Sequence, residues 1–263
     1  HTSYSYVKKM GDEMREHFPD FMKNKYYLAI DIGASSGRHM IGRVENGKIV
    51  LEEAYRFDNG QIRKDGHDCW DIDKLIESIK AGIDAAMAKA KIESLGVDTW
   101  GVDFAFFGKD GQIIGLPHCY RDGYTNGIMD KYFSNKMPSK EVYSRTGIQF
   151  MEFNTAFQLL SLKLNRPELL ERADSLLFMP DLFSYFLTGN KVSEYSIATT
   201  SQLVDIHTKT WSGEVISALG FDSLSNYQFC HFVNIDRDYN EIISDERLNP
   251  YLKFLGCLIT RVE

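Results

Sequence analysis

A short apolar segment followed by a run of small residues is the feature that most constrains how this chain can fold. The segment Tyr26–Ile32 predicts a buried strand, and Gly33–Gly37 (sequence GASSG) predicts a turn directly after it. Arg38–Glu45 continues in an extended pattern and leads into Asn46-Gly47, a dipeptide typical of hairpin turns. Lys48–Phe57 then predicts the returning strand. We therefore expect consecutive strands at the start of the folded part of the chain.

A helical pattern separates these strands from the next one. Apolar residues recur at helical spacing through Ile72–Met87, and Asp71 or Asp73 can cap this helix. Ile92–Trp100 predicts a further strand. Beyond Pro117 the sequence predicts mainly helices, at Thr125–Phe133, Asn154–Leu164, Pro167–Ala173 and Asp181–Leu187. The order β-β-β-α-β followed by helices indicates an α/β fold with a mixed sheet and flanking helices.

The charge balance argues against several classes of partner. The 263 residues carry 30 Lys and Arg against 37 Asp and Glu, a net charge of −7 without a basic stripe. We therefore expect no binding to nucleic acid or to an anionic membrane. No apolar run approaches the ~18 residues of a membrane-spanning helix, and the N-terminal segment holds no apolar core of a signal peptide. A cytoplasmic protein is expected, and the start at His1 indicates a processed, tagged or partial chain.

The cysteines favour neither a disulfide framework nor a zinc site. They are widely separated, and no C-x-x-C pair occurs. The four are Cys69, Cys119, Cys230 and Cys257. His118-Cys119 and Cys230-His231 are the nearest approach to a ligand pair, and adjacent residues rarely bind one ion. We expect buried or half-buried thiols.

Three interpretations of the glycine-rich segments compete. Gly42–Lys48 satisfies G-x-x-x-x-G-K, but Ile49 comes next where that nucleotide-binding loop needs Ser or Thr, and a hairpin is predicted where it needs a helix. Gly33–Gly37 satisfies G-x-S-x-G, which in hydrolases requires a helix after the serine, with a histidine and an acid elsewhere in the chain. Ser35 as a hydrolase nucleophile is therefore a minor alternative.

The third interpretation is a phosphate-binding turn between two strands. Small residues let backbone N–H groups approach an anion, and Ser35 and Ser36 add hydroxyl donors. Arg38 can neutralise phosphate charge, and Asp31 can hold Mg²⁺ through water. An ordinary hairpin turn has the same composition, so the spacing alone leaves the choice open.

A series of motifs in one order resembles the FGGY family of carbohydrate kinases, in particular its branch that acts on L-rhamnulose. The opening Leu28–Arg38 (LAIDIGASSGR) carries the resemblance most clearly. The further motifs are Arg56–Gly60, Trp70–Asp73, Gly96–Phe104, Gly115–Pro117, Tyr120–Asp122, Thr146–Phe150, Met179–Tyr185, Leu187–Gly189 and Ala198–Leu203. Together they cover about residues 25–220.

The resemblance implies an actin-like, ribonuclease-H-type ATPase fold and transfer of the γ-phosphoryl group of ATP to O1 of L-rhamnulose with Mg²⁺. It implies an ATP phosphate site at Ala34, Ser35, Ser36, Gly37 and Arg38, with Asp31 as an indirect metal anchor. It also implies a sugar site at Gly101, where a missing Cβ lets the ligand approach the backbone. Candidate partners of the sugar hydroxyls are Asp103, Arg121 and Asp122. Trp100 could stack on the sugar, although an aromatic residue in an apolar segment is more often part of a core.

The chain departs from the family beyond this region. The family's general base is an Asp in a Gly-x-His-Asp-Thr-like motif of a second domain, and that motif is absent here. Gly66–Cys69 resembles it only superficially, so we reject Asp68 as the base. We predict a charged extension at 1–24, a sugar-binding domain at 25–220 and a divergent tail at 221–263. Missing its C-terminal partner domain, the chain is expected to have little activity alone, and the alternatives are a non-catalytic sugar-binding module or a kinase of another ketose or polyol.

Overall fold

The structure is a computed structural model that describes residues 25–221. These residues form two compact units, each built from separate stretches of the chain. The first unit contains residues 25–59 and 73–99, and the second contains residues 60–72 and 100–221. The predicted extension at 1–24 and the predicted tail from 222 onward lie outside the described residues, and the domain bounds 25–220 stay a prediction.

Strands and helices alternate early in the described region, and helices dominate later. The strands are β1 Tyr26–Ile32, β2 Ser36–Glu45, β3 Lys48–Asp58, β4 Gln61–Lys64, β5 His67–Trp70, β6 Ile92–Thr99, β7 Phe104–Phe107, β8 Ser175–Phe178, β9 Val204–Asp205 and β10 Thr210–Trp211. The α-helices are α1 Ile72–Met87, α2 Ile128–Asn135, α3 Ser139–Thr146, α4 Thr155–Asn165, α5 Pro167–Arg172, α6 Met179–Thr188, α7 Tyr195–Thr199 and α8 Gly213–Ala218. A short 3-10 helix covers Gly123–Thr125.

The sheet of the first unit has the mixed topology that the sequence predicts. Its strand order is β3-β2-β1-β6, with β1–β2 and β2–β3 antiparallel and β1–β6 parallel. The Asn46-Gly47 turn joins β2 to β3, with both residues at positive φ. The Gly42–Lys48 motif therefore lies on a hairpin and not ahead of a helix, which is inconsistent with a Walker A loop.

Helix α1 belongs to the same unit as this sheet, and one of its faces is buried because its apolar residues recur at helical spacing. Leu75, Ile79 and Ala86 are buried, and Asp73 lies in the first turn, where the helix dipole favours a negative charge. His39 of β2 is fully buried, and a Cβ added to Gly82 of α1 would lie 2.3 Å from its imidazole ring. The missing side chain of Gly82 thus makes room for a buried histidine.

The second unit is organised around helix α4. Every residue from Thr155 to Leu162 is buried, so the helix is covered on all sides, as expected for a core helix. Phe104 and Phe106 of β7 pack in the same hydrophobic cluster. Strand β7 pairs antiparallel with β8, with Phe104 opposite Phe178.

The described residues contain neither a candidate membrane-spanning helix nor a cluster of potential metal ligands. None of the helices found between residues 25 and 221 is long and apolar enough to cross a membrane. In the same part of the chain, no group of three His, Cys, Asp or Glu side chains is arranged to hold a metal ion. Cys69 and Cys119 are buried free thiols, while Cys230 and Cys257 lie outside the described residues.

Candidate functional site

The GASSG segment is a tight turn between two strands. Strand β1 ends at Ile32, β2 begins at Ser36, and the backbone N–H of Gly33 donates to the carbonyl of Ser36 at 2.8 Å. Ser35 is exposed at the tip. Because a strand comes after the turn, the segment lacks the strand–turn–helix geometry that a nucleophilic Ser35 would require.

Close packing disfavours a side chain at two glycines of the turn, most strongly at Gly37. A Cβ at Gly37 would lie 2.2 Å from the ring of Phe57, which is the residue opposite it on β3. A Cβ at Gly33 would lie 3.3 Å from the carbonyl oxygen of Ser36, inside the usual contact distance. Neither glycine has a positive φ, so the constraint at both positions is steric.

Arg38 and Asp31 form an ion pair beside the turn. They are opposite each other on β2 and β1, and Nε and Nη2 of Arg38 both lie 2.8 Å from Oδ2 of Asp31. Their side chains are 50% and 45% exposed, so both remain accessible from solvent. The Oδ1 atom of Asp31 accepts no hydrogen bond from the described residues.

The turn fits a phosphate group. Among residues 25–221, nothing accepts a hydrogen bond from the N–H groups of Ala34 or Ser35, while the Gly33, Ser35 and Ser36 carbonyls are occupied by protein donors. Exposed N–H groups with a nearby guanidinium form the usual protein site for an anion. The free oxygen of Asp31 suits a water ligand of Mg²⁺.

In the second unit, Gly101-Val102-Asp103 form a strained three-residue turn. The N–H of Asp103 donates to the carbonyl of Gly101 at 2.9 Å, and Val102 between them has a φ of +68°. Left-handed backbone is costly for a β-branched residue and persists only where its surroundings enforce it. Val102 N–H donates to Thr200 Oγ1 at 3.1 Å, and its carbonyl accepts from Thr155 Oγ1 at 2.7 Å.

A side chain at the glycine of this turn would crowd another part of the protein. A Cβ at Gly101 would lie 3.0 Å from the side chain of Thr200, which also accepts a hydrogen bond from the N–H of Val102. The close approach predicted for a ligand at Gly101 is therefore made by Thr200. A contact between Gly101 and substrate stays a prediction.

Asp103 is fully buried, and four donors surround its carboxylate. Oδ2 accepts hydrogen bonds from the indole of Trp70 at 2.6 Å, the indole of Trp100 at 2.9 Å and the backbone N–H of Tyr120 at 3.1 Å. Oδ1 accepts from Nε2 of Gln158 at 3.1 Å. Burial raises the pKa of Asp103 to about 6, and hydrogen bonds, that of Trp70 first, limit the rise. This geometry favours a positioning role over direct contact with a sugar hydroxyl.

The two indoles held by Asp103 belong to an aromatic cluster. The rings of Trp70 and Trp100 are 4.1 Å apart, and Trp70 is fully buried whereas Trp100 is partly exposed. Tyr120 is next to Trp70, with ring centroids 6.5 Å apart. Exposed Arg121 stacks on Tyr120 and donates from Nε to its hydroxyl. The guanidinium edge of Arg121 thus remains available to a ligand.

Asp122 serves the local structure. Its carboxylate caps the 3-10 helix by accepting from the N–H of Tyr124 at 2.9 Å, and it accepts from the N–H of Asp68 at 2.8 Å and from His67 at 3.1 Å. Burial opposes ionisation of Asp122, but these hydrogen bonds prevail and hold its pKa below the usual value. Asp68 itself pairs with Arg63, and its rejection as a general base stays a prediction.

The structure therefore brings Gly101, Asp103, Tyr120 and Arg121 together in one unit, and Asp31 and residues 34–38 together in the other. The roles of Thr155, Gln158 and Thr200, which hold the Val102 turn, are not evident from the sequence, and neither is that of Trp70, which binds Asp103. The same is true of Asn59, whose side chain holds the GASSG turn. None of these contacts has a local spacing signal, because each joins residues distant in sequence.

Comparison with known proteins identifies sequence relatives of the chain. Residues 26–242 match the FGGY family of carbohydrate kinases, N-terminal domain, a range that extends past Gly220. Rhamnulokinase of Oceanobacillus iheyensis is 46% identical over 197 residues, which are 74% of this chain and 42% of the relative. Rhamnulokinase of Bacteroides thetaiotaomicron is 45% identical over 213 residues, 81% of this chain and 43% of the relative. The chain thus spans well under half the length of these relatives.

Solved structures show the same fold at low sequence identity. Gluconate kinase and ligand-bound xylulose kinase from Lactobacillus acidophilus each have a TM-score of 0.67 at 20% identity, over 74% of this chain and 40% of theirs. Plasmodium falciparum glycerol kinase with ADP has a TM-score of 0.62 at 18% identity, over 77% of this chain and 42% of its own. The predicted actin-like α/β fold with a mixed sheet and flanking helices is therefore confirmed.

Proposed function

This chain belongs to the FGGY family of carbohydrate kinases, and from that membership we propose that it carries a phosphate loop and a sugar site of an ATP-dependent kinase that phosphorylates L-rhamnulose at O1. The geometry of the GASSG turn supports the proposal most directly. That turn offers backbone N–H groups and an exposed guanidinium to an anion, while protein donors occupy its carbonyl oxygens.

In this proposal the first unit binds the phosphates of ATP. Bound ATP supplies the phosphoryl group, and Mg²⁺ lowers the repulsion between its negative charges. The N–H groups of Ala34 and Ser35 and the hydroxyl groups of Ser35 and Ser36 donate to phosphate oxygens. Arg38 contributes positive charge, and Asp31 holds a water ligand of the metal. Such groups act by positioning and by charge stabilisation, which dominate catalysis of phosphoryl transfer.

The second unit supplies the sugar-binding groups. The partly exposed ring of Trp100 offers an apolar face, and Arg121 offers donors that suit ketose hydroxyl and carbonyl oxygens. Asp103 fixes the orientation of Trp100 and of the Tyr120 backbone. Gly101 and Asp122 stay predicted substrate contacts, and none of these residues is proposed as the general base.

Titration of the chain with sugars tests the proposed substrate. We expect L-rhamnulose to bind at least ten times more tightly than D-xylulose in isothermal titration calorimetry, because the sequence relatives named above are rhamnulokinases. Equal affinity for both ketoses would contradict the rhamnulose assignment. A coupled ATP assay completes the experiment, and turnover at ordinary kinase rates of ~1–100 s⁻¹ would contradict the expectation that this chain alone is nearly inactive.

Replacement of Arg38 by alanine tests the phosphate half. We expect Arg38→Ala to weaken binding of Mg-ATP at least tenfold, because a charge-assisted hydrogen bond to phosphate is lost. Arg43→Ala is the matched control, since Arg43 lies on the same strand and pairs with Glu45 away from the turn. Equal affinities of the two variants for Mg-ATP, measured by calorimetry, would remove Arg38 from the site.

A further inference from the structure

Asn59 contacts the GASSG turn through both its side chain and its backbone. Its Nδ2 atom donates to the carbonyl oxygen of Gly33 at 2.8 Å, and its backbone N–H donates to the carbonyl oxygen of Ser35 at 3.0 Å. Asn59 comes directly after strand β3, which ends at Asp58. A residue 26 positions away in sequence from Gly33 therefore fixes two of the peptide groups in the turn.

These contacts determine which backbone groups the turn presents. A phosphate is attracted by N–H groups and repelled by carbonyl oxygens. Asn59 donates hydrogen bonds to the carbonyls of Gly33 and Ser35, and the N–H of Gly33 donates to the carbonyl of Ser36. Rotation of the Gly33–Ala34 peptide would turn the Gly33 carbonyl away from Asn59 and move the Ala34 N–H with it. The hydrogen bond from Asn59 opposes that rotation.

The same strand fixes the other end of the turn. Phe57 is buried and occupies the space where Gly37 would otherwise carry a side chain. Ser36 and Gly37 pair in register with Asp58 and Phe57 of β3. The end of β3 thus holds the turn at Gly37 by packing and at Gly33 by hydrogen bonding.

We propose that Asn59 is a positioning residue that keeps the N–H groups of the GASSG turn directed toward bound phosphate. This inference rests on the proposed function, because it assumes that the turn binds the phosphates of the nucleotide. It assigns Asn59 no contact with the substrate. Its amide acts through the Gly33 carbonyl, and its loss is expected to weaken anion binding without unfolding the sheet.

The test uses the full chain labelled with ¹⁵N and ¹³C and titrated with inorganic tripolyphosphate. In the wild type we expect shifts of the Ala34 and Ser35 amide resonances on binding. Asn59→Ala is expected to weaken binding at least tenfold and to shift the ¹³C resonance of the Gly33 carbonyl. Asn59→Leu keeps the approximate size of the side chain without the donor and should behave in the same way.

Asn135→Ala is the matched control. It also removes a side-chain amide that donates to a backbone carbonyl, that of Lys131 at 3.0 Å, but on helix α2 of the other unit. We expect wild-type affinity for tripolyphosphate from this variant. Wild-type affinity in both Asn59 variants, with tripolyphosphate binding intact, would overturn the inference and leave the proposed function standing. No binding by the wild type would overturn both.

A measurement on the wild type covers the case in which the Asn59 variants do not fold. A scalar coupling across the hydrogen bond between Asn59 Nδ2 and the Gly33 carbonyl should be present in the free chain and persist after tripolyphosphate binds. Loss of this coupling on binding would show that the turn accepts the anion without Asn59, and would overturn the inference.

Discussion

Replacing Asp103 by alanine is expected to lower the free energy of unfolding by about 4 kcal/mol at pH 7. The substitution leaves the indole N–H of Trp70 and the N–H of Tyr120 without their acceptor inside the protein, whereas the amide of Gln158 keeps the carbonyls of Val102 and Phe153. A buried donor without a partner costs ~1–3 kcal/mol, and two are created at once. Urea denaturation followed by tryptophan fluorescence measures the loss, since Trp70 and Trp100 both report on the site.

The control for this prediction is Asp130→Ala. Asp130 is exposed in the first turn of helix α2, so its removal should cost under about 1 kcal/mol through the helix dipole. A loss for Asp103→Ala as small as that of the control would contradict the positioning role. The near-ultraviolet circular dichroism should also change for Asp103→Ala alone, because the orientation of two indoles depends on that carboxylate.

The contribution of Asp103 to stability depends on pH with a definite sign. The pKa of Asp103 is about 6 in the folded chain, above the ordinary value of 3.8, so the folded state binds its proton more tightly than the unfolded state. The stabilisation from this proton is complete below about pH 4 and is lost as the pH rises through 6. Wild type should therefore gain stability relative to Asp103→Asn when the pH is lowered from 7 to 4.

Acidification is expected to act in the opposite direction through His39. Burial lowers its pKa from 6.5 to about 4, and the backbone of Ile79 opposes only part of that shift. Neither ring nitrogen makes a hydrogen bond of ordinary geometry to a residue in the described part of the chain. The folded state therefore binds the His39 proton less tightly than the unfolded state, and stability falls as the pH drops from 6.5 toward 4.

The free energy of unfolding is expected to fall by about 3 kcal/mol between pH 7 and pH 4. This value follows from a pKa difference of about 2.5 between the unfolded and folded states, at 1.36 kcal/mol per unit. His39→Leu removes this contribution, because leucine fills a similar volume and does not titrate. The free energy of unfolding of wild type and variant should be compared across this range. His118, whose pKa burial also lowers to about 4, and Asp103 titrate in both proteins, so the difference isolates His39. Parallel pH profiles would contradict the prediction.

The sequence predicts most of the first unit because its signals are local. Tyr26–Ile32 is apolar except at Asp31, Asn46-Gly47 demands positive φ, and the spacing in Ile72–Met87 fits one buried helix face. The hairpin of β4 and β5 was missed, since Gln61–Lys64 is exposed along its length and has no apolar alternation. Its Asp65-Gly66 turn, with both residues at positive φ, is a signal that could have found it.

The candidate site is less predictable because its contacts are not local. Asp103 meets Trp70 and Gln158, which lie 33 and 55 residues away in sequence, and no spacing rule connects them. Val102 has the composition of a strand residue, yet hydrogen bonds from Thr155 and to Thr200 impose a left-handed backbone. The GASSG turn could be located from sequence, whereas Asn59 becomes relevant only once β3 lies beside β2.

The strained turn at Val102 limits how far this site can be moved between proteins. Its backbone is held by hydrogen bonds with Thr155 of α4 and with Thr200, which follows α7, and Gln158 of α4 binds the carboxylate of Asp103. The residues of the turn do not specify this conformation by themselves. A short peptide of the same sequence, or the same segment transplanted into a foreign scaffold, would relax to ordinary extended backbone. An engineer who borrows this motif must carry Thr155, Gln158 and Thr200 with it.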